Sequence, residues 1–455
     1  MAVEPTQHPG AFDPARYEAF RFVARDIDGQ GRITLRYALD DDVEFVEQFE
    51  LPEGTRVSAD DRERIDGLLS LLHWVAGVSY FKTAVPGVLR CENGVPPPAT
   101  AALLEALYSE GLGEFAYVNR LTSLPRPKFP SSEAVSPTAS VGELSRVLVP
   151  VGGGKDSVVA IEIIRRSQCE LALFSVGDAP PIARTAAVAD LPRLIALRRL
   201  DPGLMALNRA GALNGHVPIT AIIACVAALA ATLHGFDAVA LANERSASSG
   251  NVRWDGIEVN HQFSKSLSAE RLLAAAIAEL APTLRIFSVL RPASELAIAR
   301  AFARLDAYHG AFTSCNAIFR RDPALRAASW CCHCPKCRFV FLILAPFSDP
   351  EHLRAVFGRD MLDDDDQYAG FALLTATGGN KPFECVGEEE ESLAAIRMLA
   401  ADPRWREHAV VRRLIADVVP AFAPSAGSPS ETLRLSDDHL VPADLMPGVR
   451  ALLGA

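Results

Sequence analysis

The stretch LVPVGGGKDSVVAIEIIRR, residues 148–166, limits the possible folds of this chain more than any other segment. An apolar run meets three consecutive glycines, then Lys-Asp-Ser, then a second apolar run with helical spacing. A strand that enters a glycine turn and leaves it as a helix points several backbone N–H groups at one place. The helix dipole favours negative charge there. Gly152, Gly153 and Gly154 leave room for an anion beside the backbone, Lys155 adds a positive charge, and Ser157 offers a hydroxyl donor. The corner is shaped to hold phosphate; the plainer reading is an ordinary Gly-rich strand–helix turn.

The flanking texture extends the argument. After residue 146, short apolar runs (146–151, 170–176, 193–199 and 237–243) alternate with longer helical ones, including VPITAIIACVAALAATL at 217–233. Strands alternating with helices predict an α/β fold, a parallel sheet with helices on both faces. The 217–233 run is Ala-rich, starts beside a proline and stops at His234-Gly235, so it reads as a buried helix and not as a membrane span. Upstream, 20–51 alternates β-formers around Asp-Gly-Gln-Gly and Asp-Asp-Asp turns, and helical patterns follow at 60–77 and 99–110. The expected organisation is a small N-terminal α+β domain (1–122) and a Pro/Ser-rich linker (123–145). An α/β domain carrying the glycine corner (146–310) follows, then a C-terminal region (311–455) with helical stretches near 391–401 and 407–418.

Which phosphate loop this is can be narrowed. G-x-x-x-x-G-K-[ST] is absent, because Asp156 follows the lysine. G-x-G-x-x-G fails too, since Asp156 and Ser157 stand where its third glycine belongs. Residues 152–157 instead resemble the PP-loop of the ATP pyrophosphatases, S-G-G-x-D-S, with Gly152 replacing the first serine. The resemblance implies an adenine nucleotide α-hydrolase-like fold. Gly152, Gly153, Gly154, Lys155, Asp156 and Ser157 would hold the phosphates of ATP, Phe174 and Ser175 would lie against its adenine, and the products would be AMP and pyrophosphate. Asp156 is a candidate for holding Mg²⁺ beside the phosphates, or a simple helix cap.

A second cluster stands at WCCHCPKC, residues 330–337. Cys331, Cys334 and Cys337 form C-x₂-C-x₂-C, with Cys315 upstream, and four such thiolates converge well on one tetrahedral ion. Structural zinc that staples the C-terminal region is the expectation. Alternatives are substitution of Cys332 or His333 for one ligand, an iron–sulfur cluster, or reduced buried thiols.

Several separate blocks extend the resemblance over most of the chain. FRFV (20–23), LLHWVAGVSYFKTAVP (71–86), GLGEFAY (111–117), GGGKDS (152–157) and LNRAGALNGHVPITA (207–221) occur in order. NERSAS (243–248), VNHQFSKS (259–266), LRPASELAIAR (290–300), SCN (314–316), CPKCRFVFL (334–342) and KPFECVGE (381–388) follow. Together they resemble the UDP-N-acetyl-α-D-muramoyl-L-alanyl-L-glutamate epimerase family. That resemblance implies an ATP- and Mg²⁺-dependent enzyme that turns the terminal L-Glu of a UDP-muramoyl dipeptide into D-Glu, for peptidoglycan precursor synthesis. Adenylating the carboxylate explains the ATP: removing the α-hydrogen beside a free carboxylate builds a second negative charge, whereas a mixed anhydride can delocalise it.

Inversion needs an acid/base group on each face of the carbon, or one mobile group. The candidates are His261 and Lys265 in a polar segment, and Cys385 in FECVGE. Glu244 and Arg245, just past the strand 237–243, suit carboxylate or phosphate binding. Arg291, Arg300 and Lys336 are candidates for the substrate diphosphate.

A net charge of −11 argues against nucleic acid as the main partner. The N-terminus shows no secretory signal, and four of nine cysteines lying within seven residues do not form a secreted disulfide framework, so a cytoplasmic protein is expected. The competing readings are another PP-loop adenylating enzyme (resembling 7-cyano-7-deazaguanine synthase or a tRNA-modifying enzyme) and a non-catalytic nucleotide sensor.

Overall fold

Apolar alternation along the strands decides the architecture. In β5 (Arg146–Pro150), Val147 and Val149 enter one core while Leu148 enters the other. In β6 (Glu170–Val176), Leu171 and Leu173 are likewise divided from Ala172 and Phe174. A strand buried on both faces needs helices on both sides of its sheet. A computed structural model of the chain, describing residues 12–133, 142–320, 324 and 326–454, has that arrangement.

The remaining strands are β1 (Ala19–Ile27), β2 (Arg32–Leu39), β3 (Val43–Glu50), β4 (Val88–Cys91), β7 (Arg193–Arg199), β8 (Ala238–Leu241), β9 (Val252–Trp254), β10 (Ile257–Val259) and β11 (Arg285–Ser288). Of the eleven strands among the described residues, nine form one sheet in the order β11-β8-β5-β6-β7-β3-β2-β1-β4, and β9 and β10 pair separately. The strands from β11 to β7 are parallel; β1, β2 and β3 form an antiparallel meander, with β4 parallel to β1. The expectation of a parallel sheet is therefore corrected to a mixed one. β3 pairs antiparallel with β7 through Gln48↔Arg199, Phe49↔Arg198 and Glu50↔Leu197, which carries the N-terminal meander into the parallel part of the sheet. The composition change near residue 122 does not reveal this joint, because both partners are ordinary half-buried strands.

One face is covered by the helices Lys155–Arg165, Glu295–Phe302 and Pro335–Leu344. The other is covered by Ala59–Ala76, Ile219–His234 and Leu267–Leu280. Ile219–His234 is apolar nearly all round, and its alanines let Ala59–Ala76 lie close against it. Among the described residues, no helix is long and apolar enough to cross a membrane. The described parts of the 123–145 linker contain neither helix nor strand, and residues 134–141 of it lie outside the described residues.

Two features aim the chain at the site. The Asp255-Gly256 turn, with both residues at positive φ (51° and 73°), closes the β9–β10 hairpin and delivers the segment 259–266. Gly111 and Gly113 let residues 111–118 settle against Pro218 and Val259, where a Cβ would stand 3.3 and 3.4 Å from those side chains.

Candidate active site

A cavity of about 430 Å³ opens at the carboxyl ends of β5, β6 and β8. The chain leaves β5 to form β6 on one side and reaches β8, on the other side, only later. Ligands of open α/β sheets bind at such a switch in strand order. Gly152, Gly154, Asp156 and Ser157 form one wall, Phe174 and Ser175 line the cavity as well, and Lys265, Lys336 and Cys385 come to it from later in the chain.

The corner is tightly specified. Gly153 sits at φ +81°, and a Cβ there would stand 2.5 Å from the carbonyl carbon of Pro181, so only glycine fits. Gly154 precedes the helix Lys155–Arg165 and offers no side-chain cap to the N–H groups of its first turn. The Gly152 N–H donates to Ser157 Oγ at 2.8 Å, and the Gly153 carbonyl accepts from the Thr313 N–H at 3.0 Å.

Lys155 does not line this cavity. Its side chain is fully buried, and its ammonium pairs with Asp156 and Glu295. Burial alone would lower its pKa, but the two carboxylates outweigh that and raise it. Burial pushes Asp156 up, yet Lys155 and Lys336 bring it below the ordinary carboxylate range, so it stays ionised at the cavity wall. The loop lysine is thus an internal counter-ion, and Lys265 and Lys336 supply the cavity's positive charge.

Cys385, Lys265 and His261 come together although 120 residues separate the first two. Lys265 Nζ lies 3.4 Å from Cys385 Sγ. Burial would raise the Cys385 thiol, but Lys265, a hydrogen bond from His261, and Lys336 pull it down to about 6. Burial would lower His261, and hydrogen bonds to Cys385 and Glu114 instead push it up to about 9. At neutral pH the arrangement is a thiolate beside an imidazolium. His216 packs at a 45° tilt against His261 with ring centroids 4.4 Å apart and is driven down to about 4, by burial and then by His261.

Other candidates lie elsewhere. Glu244 is buried and contributes to the field on Lys265, while Arg245 donates to the Arg434 and Thr432 carbonyls and anchors the C-terminal segment. Arg291 is 1% exposed and bonded to Glu270 at 2.8 and 2.9 Å, with its remaining donors on the Glu244 and Lys265 carbonyls; it is a strut under the site, not a diphosphate ligand. Arg300 donates to the Leu453 carbonyl.

Sequence reasoning passed over Glu114 and His216, whose only signal was their place inside the blocks GLGEFAY and LNRAGALNGHVPITA. It also passed over Glu295, the buried partner of both Lys155 and Lys336.

The sulfurs of Cys315, Cys331, Cys334 and Cys337 lie within 4.8 Å of one another, with Cys337 Sγ 3.8 and 3.5 Å from those of Cys331 and Cys334. Four thiolates about 2.3 Å from one central ion have nearly that spacing, which leaves room for a single ion and not for a multi-iron cluster. The Cys331 and Cys337 N–H groups point at Cys315 and Cys334 sulfurs, each at 3.4 Å, as suits thiolates. Cys332, at φ +57°, turns its thiol away to the Phe357 carbonyl, and His333 is exposed, so neither competes as a ligand.

Comparison with known proteins gives a consistent result. Residues 11–289 match the MurL N-terminal domain family and residues 311–428 the MurL C-terminal domain family. The chain is 45% identical over 418 residues to a UDP-N-acetyl-alpha-D-muramoyl-L-alanyl-L-glutamate epimerase of Salinispora tropica, covering 90% of each protein. It is 41% identical to the protein of that name from Xanthomonas oryzae pv. oryzae, covering 97% of this chain and 99% of the relative. The corresponding protein of a Micromonospora species is 43% identical, with 94% and 96% covered.

Proposed function

The chain belongs to the UDP-N-acetyl-α-D-muramoyl-L-alanyl-L-glutamate epimerase family and is an isomerase, and from that premise we propose a route for the inversion. The substrate is the UDP-muramoyl dipeptide ending in L-Glu, and ATP is consumed to AMP and pyrophosphate in a cytoplasmic step of peptidoglycan precursor synthesis. The α-carboxylate of the glutamyl residue attacks the α-phosphate of ATP, forming an acyl-adenylate and releasing pyrophosphate. The Cys385 thiolate takes the α-proton, and the activated carbonyl accepts the electron pair. His261, held protonated by Glu114, returns a proton to the opposite face once the bound substrate has parted it from Cys385. Water then cleaves the adenylate to AMP and the D-glutamyl product.

The observation that carries this reading is one shared cavity, with the glycine corner on one wall and Cys385 with Lys265 on another. The first-turn N–H groups suit the departing pyrophosphate, and Lys265 suits the negative charge that develops at the anhydride. Asp156 fits a role in holding Mg²⁺, which takes one or two carboxylates together with substrate phosphates and neutralises their charge. The Cys315, Cys331, Cys334 and Cys337 thiolates fit zinc as a structural staple behind the site.

The test is incubation with ATP, Mg²⁺ and UDP-muramoyl-L-Ala-L-Glu in heavy water. The expected product is D-glutamyl, carries one deuterium at its α-carbon, and forms with one AMP and one pyrophosphate. Inversion that keeps the original hydrogen, or that forms no AMP, refutes the route.

A further inference from the structure

Residues 381–388, which carry Cys385, contain neither helix nor strand, so no backbone ladder fixes the thiol. Separate contacts hold the two ends of this segment. Asn251 Nδ2 donates to the Pro382 carbonyl at 2.8 Å, Val386 is buried, and Glu388 forms a capping box with Glu391 at the start of the helix Glu389–Ala401. Gly387 passes the helix Pro335–Leu344 so closely that a Cβ would stand 2.5 Å from the Phe339 ring. Between these anchors, the Glu384 side chain accepts from the Lys336 N–H at 3.0 Å.

The donor is itself held in place. Lys336 is the second residue of the helix Pro335–Leu344 and stands between Cys334 and Cys337 of the four-thiol loop. Its N–H belongs to the first turn, where backbone donors lack a partner inside the helix and the dipole favours a carboxylate. The Lys336 ammonium lines the active-site cavity and lies 3.5 Å from Glu295 Oε1. One residue therefore gives its backbone to Glu384 and its charge to the cavity that Cys385 also lines.

We propose that Glu384 is a positioning residue: by accepting from the Lys336 N–H it holds Cys385 in the cavity, beside Lys265, His261 and Lys336. The inference rests on the route above for the role of Cys385 as the base. The groups that face the thiol are Lys265 and His261 from the segment 259–266 and Lys336 from the helix Pro335–Leu344. Glu244 and Asp156 act on it by way of Lys265, and Glu114 by way of His261. Burial raises the thiol and all three direct neighbours lower it, so a segment that swings away loses the three together and the thiol returns toward its ordinary range. Loss of charge alone works in the opposite sense, because removing a carboxylate near a thiol lowers the thiol's pKa. The sign of the change therefore separates a positioning residue from a mere neighbouring charge.

The experiment follows alkylation of Cys385 by iodoacetamide against pH, read by mass spectrometry of its peptide, in wild type, Glu384→Ala and Glu384→Gln. Glutamine keeps an acceptor for the Lys336 N–H and drops the charge, whereas alanine drops both. Urea midpoints serve as the folding control, and the pH profile of kcat/KM for inversion is recorded beside them. Glu384→Ala should raise the alkylation midpoint by about one to two pH units, what a close opposite charge is worth to a titrating group. The acid limb of kcat/KM should move with it, and Glu384→Gln should stay at or slightly below wild type. A Glu384→Ala midpoint at or below wild type overturns the proposal, and so does a Glu384→Gln midpoint above it. Should Glu384→Ala not fold, Glu384→Leu takes its place and is judged by the same sign. Inversion at the wild-type rate by Cys385→Ser would refute the thiol as base, a separate failure, since alkylation judges the clamp without reference to activity.

Discussion

Alanine substitutions at two neighbouring glycines, Gly152 and Gly153, separate the grip of the corner from its mere flexibility. At Gly153 the backbone is left-handed, which costs a residue with a Cβ about 1–2 kcal/mol. The new methyl would also stand 2.5 Å from the carbonyl carbon of Pro181 and 2.7 Å from the Ile182 nitrogen. That is roughly 1 Å inside optimal carbon contact. Both neighbours are backbone, so no rotamer relieves the clash and the corner itself must move. A displacement of about 1 Å in a positioned site is worth on the order of 100-fold. Gly153→Ala should therefore weaken ATP binding about 100-fold and destabilise the fold by about 3 kcal/mol. Gly152→Ala meets only Ser157 Oγ at 3.9 Å, an ordinary contact, without a positive φ, and should stay within about 0.5 kcal/mol of wild type. Gly152→Ser should be equally mild and restores the first serine of the loop it resembles. Titration calorimetry with ATP and Mg²⁺, beside urea unfolding, reads both quantities. Equal ATP affinity in Gly152→Ala and Gly153→Ala, with both folded, would refute the claim that this corner holds the nucleotide.

The acid/base assignment predicts a bell-shaped pH profile for kcat/KM: activity rises as Cys385 ionises through about 6 and falls as His261 loses its proton through about 9. Glu114→Gln removes a group that raises His261, so the alkaline limb should move to lower pH while the acid limb holds; an unmoved alkaline limb counts against the contact. Cys315→Ser should take zinc, measured by elemental analysis, from one equivalent per chain to a small fraction, and lower the thermal midpoint; full retention of metal would exclude a four-thiolate site. Arg291→Met should cost about 3–5 kcal/mol in urea unfolding by stranding Glu270 in the core, and a matching Glu270→Met change should recover much of it. If Arg291→Met folds like wild type but loses substrate affinity, the strut assignment fails.

How much of this was readable in the chain can be judged residue by residue. The strand–glycine–helix unit at 146–165 was legible because its signals are local: a period of two, a turn that needs positive φ, then a period near 3.6. The four thiols were legible because three share one short loop. Arg291 and Lys155 were misleading, since a cation quoted from a sequence reads as a ligand, and only burial shows it to be a counter-ion inside the protein. Glu114 was silent. Its role depends on a helix from the N-terminal segment reaching His261, and nothing within 147 residues of sequence separation announces that contact.

Alone, then, the sequence determined the local units: a phosphate-shaped corner, a metal-shaped loop, strands buried on both faces, and through many matching blocks the family. Tertiary structure decided the joins. It ran the meander into the main sheet through three residue pairs, and it turned the loop lysine inward. It also gathered a thiol, an imidazole and an ammonium from distant segments into one electrostatic unit. The division has a physical cause. Backbone geometry and chelation act over a few residues, whereas desolvation and the fields that set which groups are charged depend on everything packed within several ångströms, whatever its place in the chain.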